Sequence, residues 1–304
     1  MAYRSIRDEI ARNRRSSIIL VVVVFTVLMV LVFTLSYAFA PETLFIVLPF
    51  SFILIFLYSW GSYQYGDRVV LSATNARPAE GREYIYYRDT VEGLSIAAGI
   101  PAPKAYVVPS NELNAFATGK NAENSSVAVT TGLLNSLDRQ ELEGVVAHEI
   151  GHIRNRDIQF MTLVAVLVGL AAILSHIILR SYRWGSAGGG RGRRGRDREG
   201  GIGLVIIVVG FILAIFAPLL TRIIQFTISR RREYLADATS AELTRYPEGL
   251  ASALEKISEH NSGDMNVSEA ISHLFISDPN RSALDALYAT HPPIEERIKR
   301  LREM

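Results

Sequence analysis

The 304-residue chain contains no cysteine. Disulfides and thiolate chemistry are therefore excluded, and any transition-metal site has to be built from histidines and carboxylates. No stretch interleaves basic and aromatic residues in the manner of a nucleic-acid module, and the formal net charge is only +2, so nucleic acid is not an expected partner. No internal repeat is visible. Hydrophobic residues make up 49% of the chain, which points away from an ordinary soluble enzyme and toward a membrane protein.

Four long apolar runs are present, at residues 17–37, 41–60, 161–179 and 202–226. Each is near the roughly 20 residues a helix needs to cross a bilayer. Pro218 predicts a kink in the fourth. The first run ends at Ala38-Phe39-Ala40, which imitates a signal-peptidase site. It exceeds the roughly 7–15 residues of a signal core, however, and a second run follows at once, so the two read as an uncleaved hairpin. Arg4, Arg7, Arg12, Arg14 and Arg15 precede the hairpin and its turn has no basic residue, which puts the N-terminus and the soluble segments in the cytoplasm. The Gly- and Arg-rich loop 181–201 then falls outside as a solvated, flexible connector, against the charge rule. The arginines flanking the soluble segments (Arg68, Arg77, Arg139, Arg154, Arg156, Arg230, Arg231, Arg232, Arg245) keep the balance on the cytoplasmic side.

Between the hairpins the pattern is mixed. Residues 82–98 have helical spacing, 104–108 and 126–131 read as short strands, and 113–118 is a third extended segment joined to the last by turn residues 119–124. Asp138 with Glu141 resembles a capping box at the start of a further helix. After the fourth run, helices are expected at 227–244, 247–260 and 284–302, the last interrupted at Pro292-Pro293.

The helix that opens at Asp138 carries His148-Glu149-Ile150-Gly151-His152. At about 100° per residue, His148 and His152 lie on one face about 6 Å apart along the axis and can converge on one Zn²⁺. Glu149 is turned about a quarter of the circumference away, where it can act as general base toward water without ligating the metal. Glu233 and Asp237 repeat the same spacing on a later helix. Alone, that pair reads as a solvated charged face. Beside the histidines, Glu233 supplies the third ligand of an open His₂Glu site and Asp237 can orient a ligand histidine. Two apolar crossings between His152 and Glu233 bring both to one side of the membrane, roughly 10 to 14 Å from the bilayer edge.

These motifs, with Asn114-Ala115-Phe116-Ala117-Thr118-Gly119, Asn155 and Asp157, Arg232 to Asp237, and Thr290-His291-Pro292-Pro293 leading to Arg297, resemble the HtpX-type membrane zinc metalloproteases, relatives of the CAAX prenyl endopeptidases. The resemblance covers nearly the whole chain. It implies an α+β integral membrane protein with about four transmembrane helices and a mainly α, zincin-like (gluzincin) catalytic domain carrying a small β-sheet. It implies one Zn²⁺ per subunit on His148, His152 and Glu233, with Glu149 as the base. It further implies that Asn114, Ala115, Phe116 and Ala117 form the strand along which an extended substrate lies, in the manner of β-augmentation. Asn114 and His291 are candidates for oxyanion stabilisation and Arg297 for bracing the site. Without the resemblance, Asn114 to Ala117 reads as a buried hairpin strand and His291-Pro292-Pro293 as a helix-start turn.

The expected organisation is a basic tail and hairpin (1–60), a first catalytic part (61–158), a second hairpin (159–226) and a second catalytic part (227–304). The expected function is a multi-pass cell-membrane endopeptidase that faces the cytoplasm and cleaves misfolded or damaged membrane proteins or unfolded polypeptides. The rival readings are an inactive zinc-binding scaffold, an assembly factor or a transporter. A complete catalytic set opposes the first, and the absence of charged midplane residues opposes the last.

Overall fold

A computed structural model describes residues 41–166, 230–261 and 292–304, positions 265, 267, 269–277 and 279, and part of the stretch 15–37. The N-terminal tail, loop 181–201, most of the third apolar run, all of the fourth with Pro218, and His291 lie outside the described residues.

The described positions between 15 and 37 are helical, and Phe25 meets Phe52 edge to face at 5.1 Å, joining the first two apolar runs. The second run is helix α1, Leu44–Ala73. It is the one described helix long and apolar enough to cross a membrane. The helix does not stop at Trp60 as the hydropathy does, because Ser62, Gln64, Asp67 and Arg68 end the apolar run without breaking the backbone ladder. Its membrane part exposes Phe45, Ile46, Phe50, Phe56 and Trp60, a continuous apolar surface of the kind that needs lipid or a partner. Its last turns are buried at Gly66, Val70 and Leu71, and Gly66 packs against Thr162.

A four-stranded mixed sheet follows. It comprises β1 (Arg77–Pro78), β2 (Lys104–Val108), β3 (Ala115–Asn121) and β4 (Asn124–Thr130), in the order β1-β2-β4-β3. Helix α2 (Ile85–Ala98) connects the first two strands. Strands β2 and β4 run parallel, and β3 returns antiparallel along β4. The hairpin turn is shorter than the Gly-Asn-rich stretch suggests: the strands continue to Asn121 and resume at Asn124, whose N–H is capped by the Asn121 side chain at 2.9 Å. Strand β1 is two residues long and includes a proline, which confines it to an edge.

Helix α3 (Thr131–Ser136) leads into α4 (Arg139–Arg154), the central helix. The expected capping box forms: Asp138 accepts from Glu141 N at 2.9 Å, and Glu141 accepts from Asp138 N at 2.8 Å. Buried residues run almost all round α4, which α2, β3, α6 (Arg230–Thr244) and α7 (Pro247–His260) enclose. Contact with α7 depends on Gly144, where a Cβ would lie 2.6 Å from Leu250 N. Arg156, at φ 59, breaks the chain direction after α4. Helix α5 (Asp157–Val166) then packs against α1, where the Tyr58 hydroxyl donates to Val166 O at 3.2 Å. A short helix α8 (Glu269–Ser272) and the closing helix α9 (Ile294–Arg302) complete the described fold.

Candidate active site

One turn of α4 separates His148 from His152, and both rings are buried. Their planes are nearly perpendicular with centroids 4.8 Å apart, and their Nε2 atoms face each other at 3.2 Å. Glu233 on α6 brings Oε2 to 3.8 Å from His148 Nε2 and Oε1 to 3.6 Å from His152 Nε2. A small residue on each helix allows that approach: a Cβ on Gly151 would sit 3.2 Å from Ala236 Cα. The Ser240 hydroxyl, donating to Gly144 O at 2.7 Å, ties the two helices together one turn further along.

The outer nitrogens of the two rings are each committed to a carboxylate. His148 Nδ1 lies 2.9 Å from Asp237 Oδ1, and His152 Nδ1 lies 3.2 Å from Asp157 Oδ2. An ionised carboxylate only accepts, so both Nδ1 atoms carry hydrogen; His148 Nε2 presents a lone pair, and His152 Nε2 does so once a cation takes the place of its proton. The two Nε2 atoms and the Glu233 carboxylate, with ligand atoms all within 4.8 Å of one another, converge on one point that a proton on His152 or a metal ion can occupy. Two histidines and one glutamate form a donor set suited to a divalent metal with an open position.

Arg297 on α9 is fully buried and holds this arrangement from behind. It donates to both oxygens of Asp237, through Nε at 3.0 Å and Nη2 at 2.7 Å, and its Nη1 is 3.6 Å from Glu233 Oε2. Burial alone would raise the Asp237 pKa, but Arg297 and His148 hold it below the usual carboxylate range. Burial pushes His148 down to about 4, which keeps its ring neutral. Burial also opposes charge on His152, but Asp157 and Glu233 outweigh it and lift that ring to about 9. Burial pushes Glu149 up to about 7. Among the described residues its Oε2 has no hydrogen-bond partner, and the Ala117 N–H on β3 lies beside the carboxylate. A buried carboxylate with one unfilled acceptor and a pKa near neutrality is suited to receiving a proton.

Asn114, Ala115, Phe116 and Ala117 are all buried, and the β3 edge that faces away from β4 is already engaged. Ile276 N donates to Ala115 O at 2.9 Å, and Phe116 pairs with Phe275 in an antiparallel bridge with ring centroids 4.9 Å apart. The Asn114 amide grips the next residue on both sides: Nδ2 donates to Ser277 O at 2.9 Å, and Oδ1 accepts from Ser277 N at 3.3 Å. Arg297 Nη1 donates to Ile276 O at 3.3 Å.

The structure brings His148, Glu149, His152, Glu233, Asp237 and Arg297 together and sets Ala117 beside Glu149, whereas Asn114, Ala115 and Phe116 meet residues 275–277, and the Asn114 amide, expected at an oxyanion, is held by Ser277. Sequence reasoning missed two parts of the site. The sequence marks Asp157 only as part of a motif, because its contact with His152 depends on the turn at Arg156 rather than on helical spacing. The segment at 274–277 gave no signal beyond a short apolar run.

The sequence pattern of peptidase family M48 matches residues 83–304. A protease HtpX homolog of Thermoanaerobacter pseudethanolicus is 50% identical over 252 residues, which is 83% of this chain and 83% of that protein. One of Dictyoglomus turgidum is 41% identical over 298 residues, covering 98% of this chain and 94% of that protein. The crystal structure of S. mikatae Ste24p aligns with 92% of this chain and 67% of its own, at 23% identity and a TM-score of 0.49.

Proposed function

This chain belongs to peptidase family M48, and from that premise we propose that it is a membrane-bound zinc endopeptidase in which His148, His152 and Glu233 hold the metal and Glu149 is the general base. The observation that carries this reading is the convergence of three donors, all within 4.8 Å, next to a buried Glu149 with an unfilled acceptor. A closed structural zinc site has four protein ligands; three ligands with a carboxylate in reserve favour catalysis over a scaffold. Zinc bound there supplies Lewis acidity to a water and to the scissile carbonyl.

The chain's own residues do the rest. Glu149 takes a proton from the attacking water and delivers it to the departing amine, which its elevated pKa allows in both directions. Asp237 and Asp157 fix the tautomers of His148 and His152 so that both Nε2 lone pairs stay available. Arg297 keeps Asp237 ionised in a buried setting and lies 3.6 Å from the Glu233 carboxylate. The outer edge of β3 binds an extended substrate through backbone hydrogen bonds, a mode that tolerates many sequences and suits misfolded or damaged membrane proteins.

The placement close to lipid supports the same substrate class, since α5 starts five residues after His152 and packs on the bilayer-length α1. A cytoplasmic orientation follows from the arginine distribution. Because the chain has no cysteine of its own, single cysteines at Asn124 and Gly189 report topology directly. The Asn124 probe is expected to label from the cytoplasmic side and the Gly189 probe from the opposite side, and equal labelling of both from the cytoplasm contradicts the orientation.

The mechanism is tested with purified full-length protein, a quenched membrane-protein substrate and metal analysis. Glu149→Gln is expected to retain stoichiometric zinc and to lose about 10²–10⁴-fold or more in hydrolysis. Wild-type rates from that variant overturn the reading.

A further inference from the structure

The strand edge assigned to the substrate is the edge that residues 274–277 occupy. The backbone of this segment is held as an incoming antiparallel strand would be held. The Ile276 N–H is on Ala115 O, the Ile276 carbonyl on Arg297, and both the N–H and the carbonyl of Ser277 on the Asn114 amide. Phe275 bridges Phe116 midway between Ala115 and Ala117, and Ala117 is the residue beside Glu149. The groups that pin the segment are thus those that build the site: Arg297 Nη1, which carries the Ile276 carbonyl, is the same atom that lies 3.6 Å from Glu233. A second strand cannot use these groups at the same time, since the Ala115 carbonyl, the Asn114 amide and Arg297 Nη1 are already paired with the segment.

The side chains of the segment are informative about what the edge accepts. Phe275 is fully buried in an apolar cluster with Phe116, Ala128, Met161 and Leu274, and Ile276 is 2% exposed in the main core beside Ala115 and Ile150. Ser277, by contrast, is gripped only through its backbone and is partly exposed. Two adjacent positions along the edge therefore open into apolar surroundings, and the next is indifferent to side chain.

Building on the substrate-edge reading of β3, we propose that Leu274–Ser277 is a built-in pseudosubstrate. It keeps the cleft closed in the resting enzyme and is displaced by substrate strands that carry two adjacent large apolar residues in place of Phe275 and Ile276. Apolar pairs of this kind are abundant in membrane-spanning and core segments and become accessible as extended strands only when such segments lose their packing. The segment therefore sets a threshold: folded proteins do not offer a competing strand, and unpacked apolar ones do.

The test uses the full-length chain with the pair Phe116→Cys and Phe275→Cys. Antiparallel bridge partners lie about 4.5–5.5 Å apart at Cα, within disulfide reach, and no native cysteine interferes. Oxidation locks the segment onto β3 and a phosphine reductant frees it, so one protein serves as its own control for the effect of losing two phenylalanines. The probe is a fluorescently labelled acetyl-His-Leu-Phe-Ile-Ser-amide. Binding is measured on metal-free protein, where no catalysis is needed, and hydrolysis of the quenched substrate is measured on the zinc-loaded form. The reduced form is expected to bind the peptide and cleave at least tenfold better than the oxidised form. Failure to cross-link, or equal binding in both redox states, overturns the proposal. With wild-type enzyme, the same peptide is expected to raise KM without changing kcat, whereas peptides with Asp in place of Phe or Ile have no effect. Absence of competition by the parent peptide, or equal competition by the Asp peptides, also overturns it. Redox-dependent peptide binding together with wild-type cleavage by Glu149→Gln would refute the catalytic assignment and leave the pseudosubstrate standing.

Discussion

Asp237 Oδ1 sits 2.9 Å from His148 Nδ1, and the same carboxylate receives two hydrogen bonds from Arg297. One side chain therefore both sets the tautomer of a ligand histidine and neutralises a guanidinium that is wholly buried. Removing it has two separable consequences. Asp237→Ala removes both short hydrogen bonds of Arg297 and leaves it only the 3.6 Å contact with Glu233, a loss of up to about 3–5 kcal/mol for a buried pair. It also releases the His148 ring, expected to weaken zinc binding about 10–100-fold. Asp157→Asn, opposite His152, is expected to show a loss in zinc affinity of similar size with a smaller fall in stability. Thermal melts of the metal-free proteins and competition titration with a zinc chelator check the two effects independently.

Metal should stabilise the fold itself. His148 Nε2 and His152 Nε2 lie 3.2 Å apart with Glu233 alongside, and a metal ion bound by all three ties α4 to α6 only in the folded chain. Stabilisation by ligand binding follows RT ln(1 + [L]/Kd), about 4 kcal/mol at a thousandfold excess over Kd. Chelation is expected to lower the melting temperature, and added Zn²⁺ to restore it in a concentration-dependent way. The same titration on Glu233→Gln should give a much smaller rise. An unchanged melting temperature on chelation would count against a metal at these residues.

What could be read from the sequence were the parts governed by local rules. The four-residue spacings of His148/His152 and Glu233/Asp237, the Asp138 capping box and the β-branched run at 126–131 each have a period or a position that names the structure. The parts that could not be read depend on where the chain turns. Asp157 reaches His152 only because Arg156 adopts a left-handed backbone. The extension of α1 beyond Trp60 was hidden because hydropathy tracks lipid and not the helix. The short strand β1 and the segment at 274–277 form through partners far away in sequence, Val107 and Tyr106 in one case and Ala115 and Phe116 in the other.

Asn261 shows the same dependence and can be tested. At the end of α7, its Oδ1 accepts from Leu113 N at 2.8 Å and its Nδ2 donates to Leu113 O at 2.9 Å, satisfying a buried peptide group just before β3. Asn261→Ala leaves that N–H and C=O unpaired, at about 1–3 kcal/mol for each group. Asp138→Ala, which removes the cap of α4, is expected to cost only about 1 kcal/mol. Denaturant unfolding should rank Asn261→Ala as the more destabilising. A reversed ranking would mean that the Leu113 peptide finds other partners.

Gly144 gives a sharper test of how closely the central helix must be enclosed. A Cβ there would lie 2.6 Å from Leu250 N and 2.9 Å from Leu250 Cα, both backbone atoms that no side-chain rotation can move. Replacing a helical glycine by alanine ordinarily gains about 1 kcal/mol. Here the clash has to be relieved by separating α4 from α7, and overpacking of this kind costs about 1–3 kcal/mol. Gly144→Ala is therefore expected to lower stability despite its higher helix propensity. The displaced α4 also carries His148, Glu149 and His152, so activity should fall by more than the unfolded fraction accounts for, and zinc affinity should drop in parallel. Melting temperature, chelator titration and hydrolysis measured on one preparation separate these effects. A variant as stable and as active as wild type would show that the helices can part without disturbing the site.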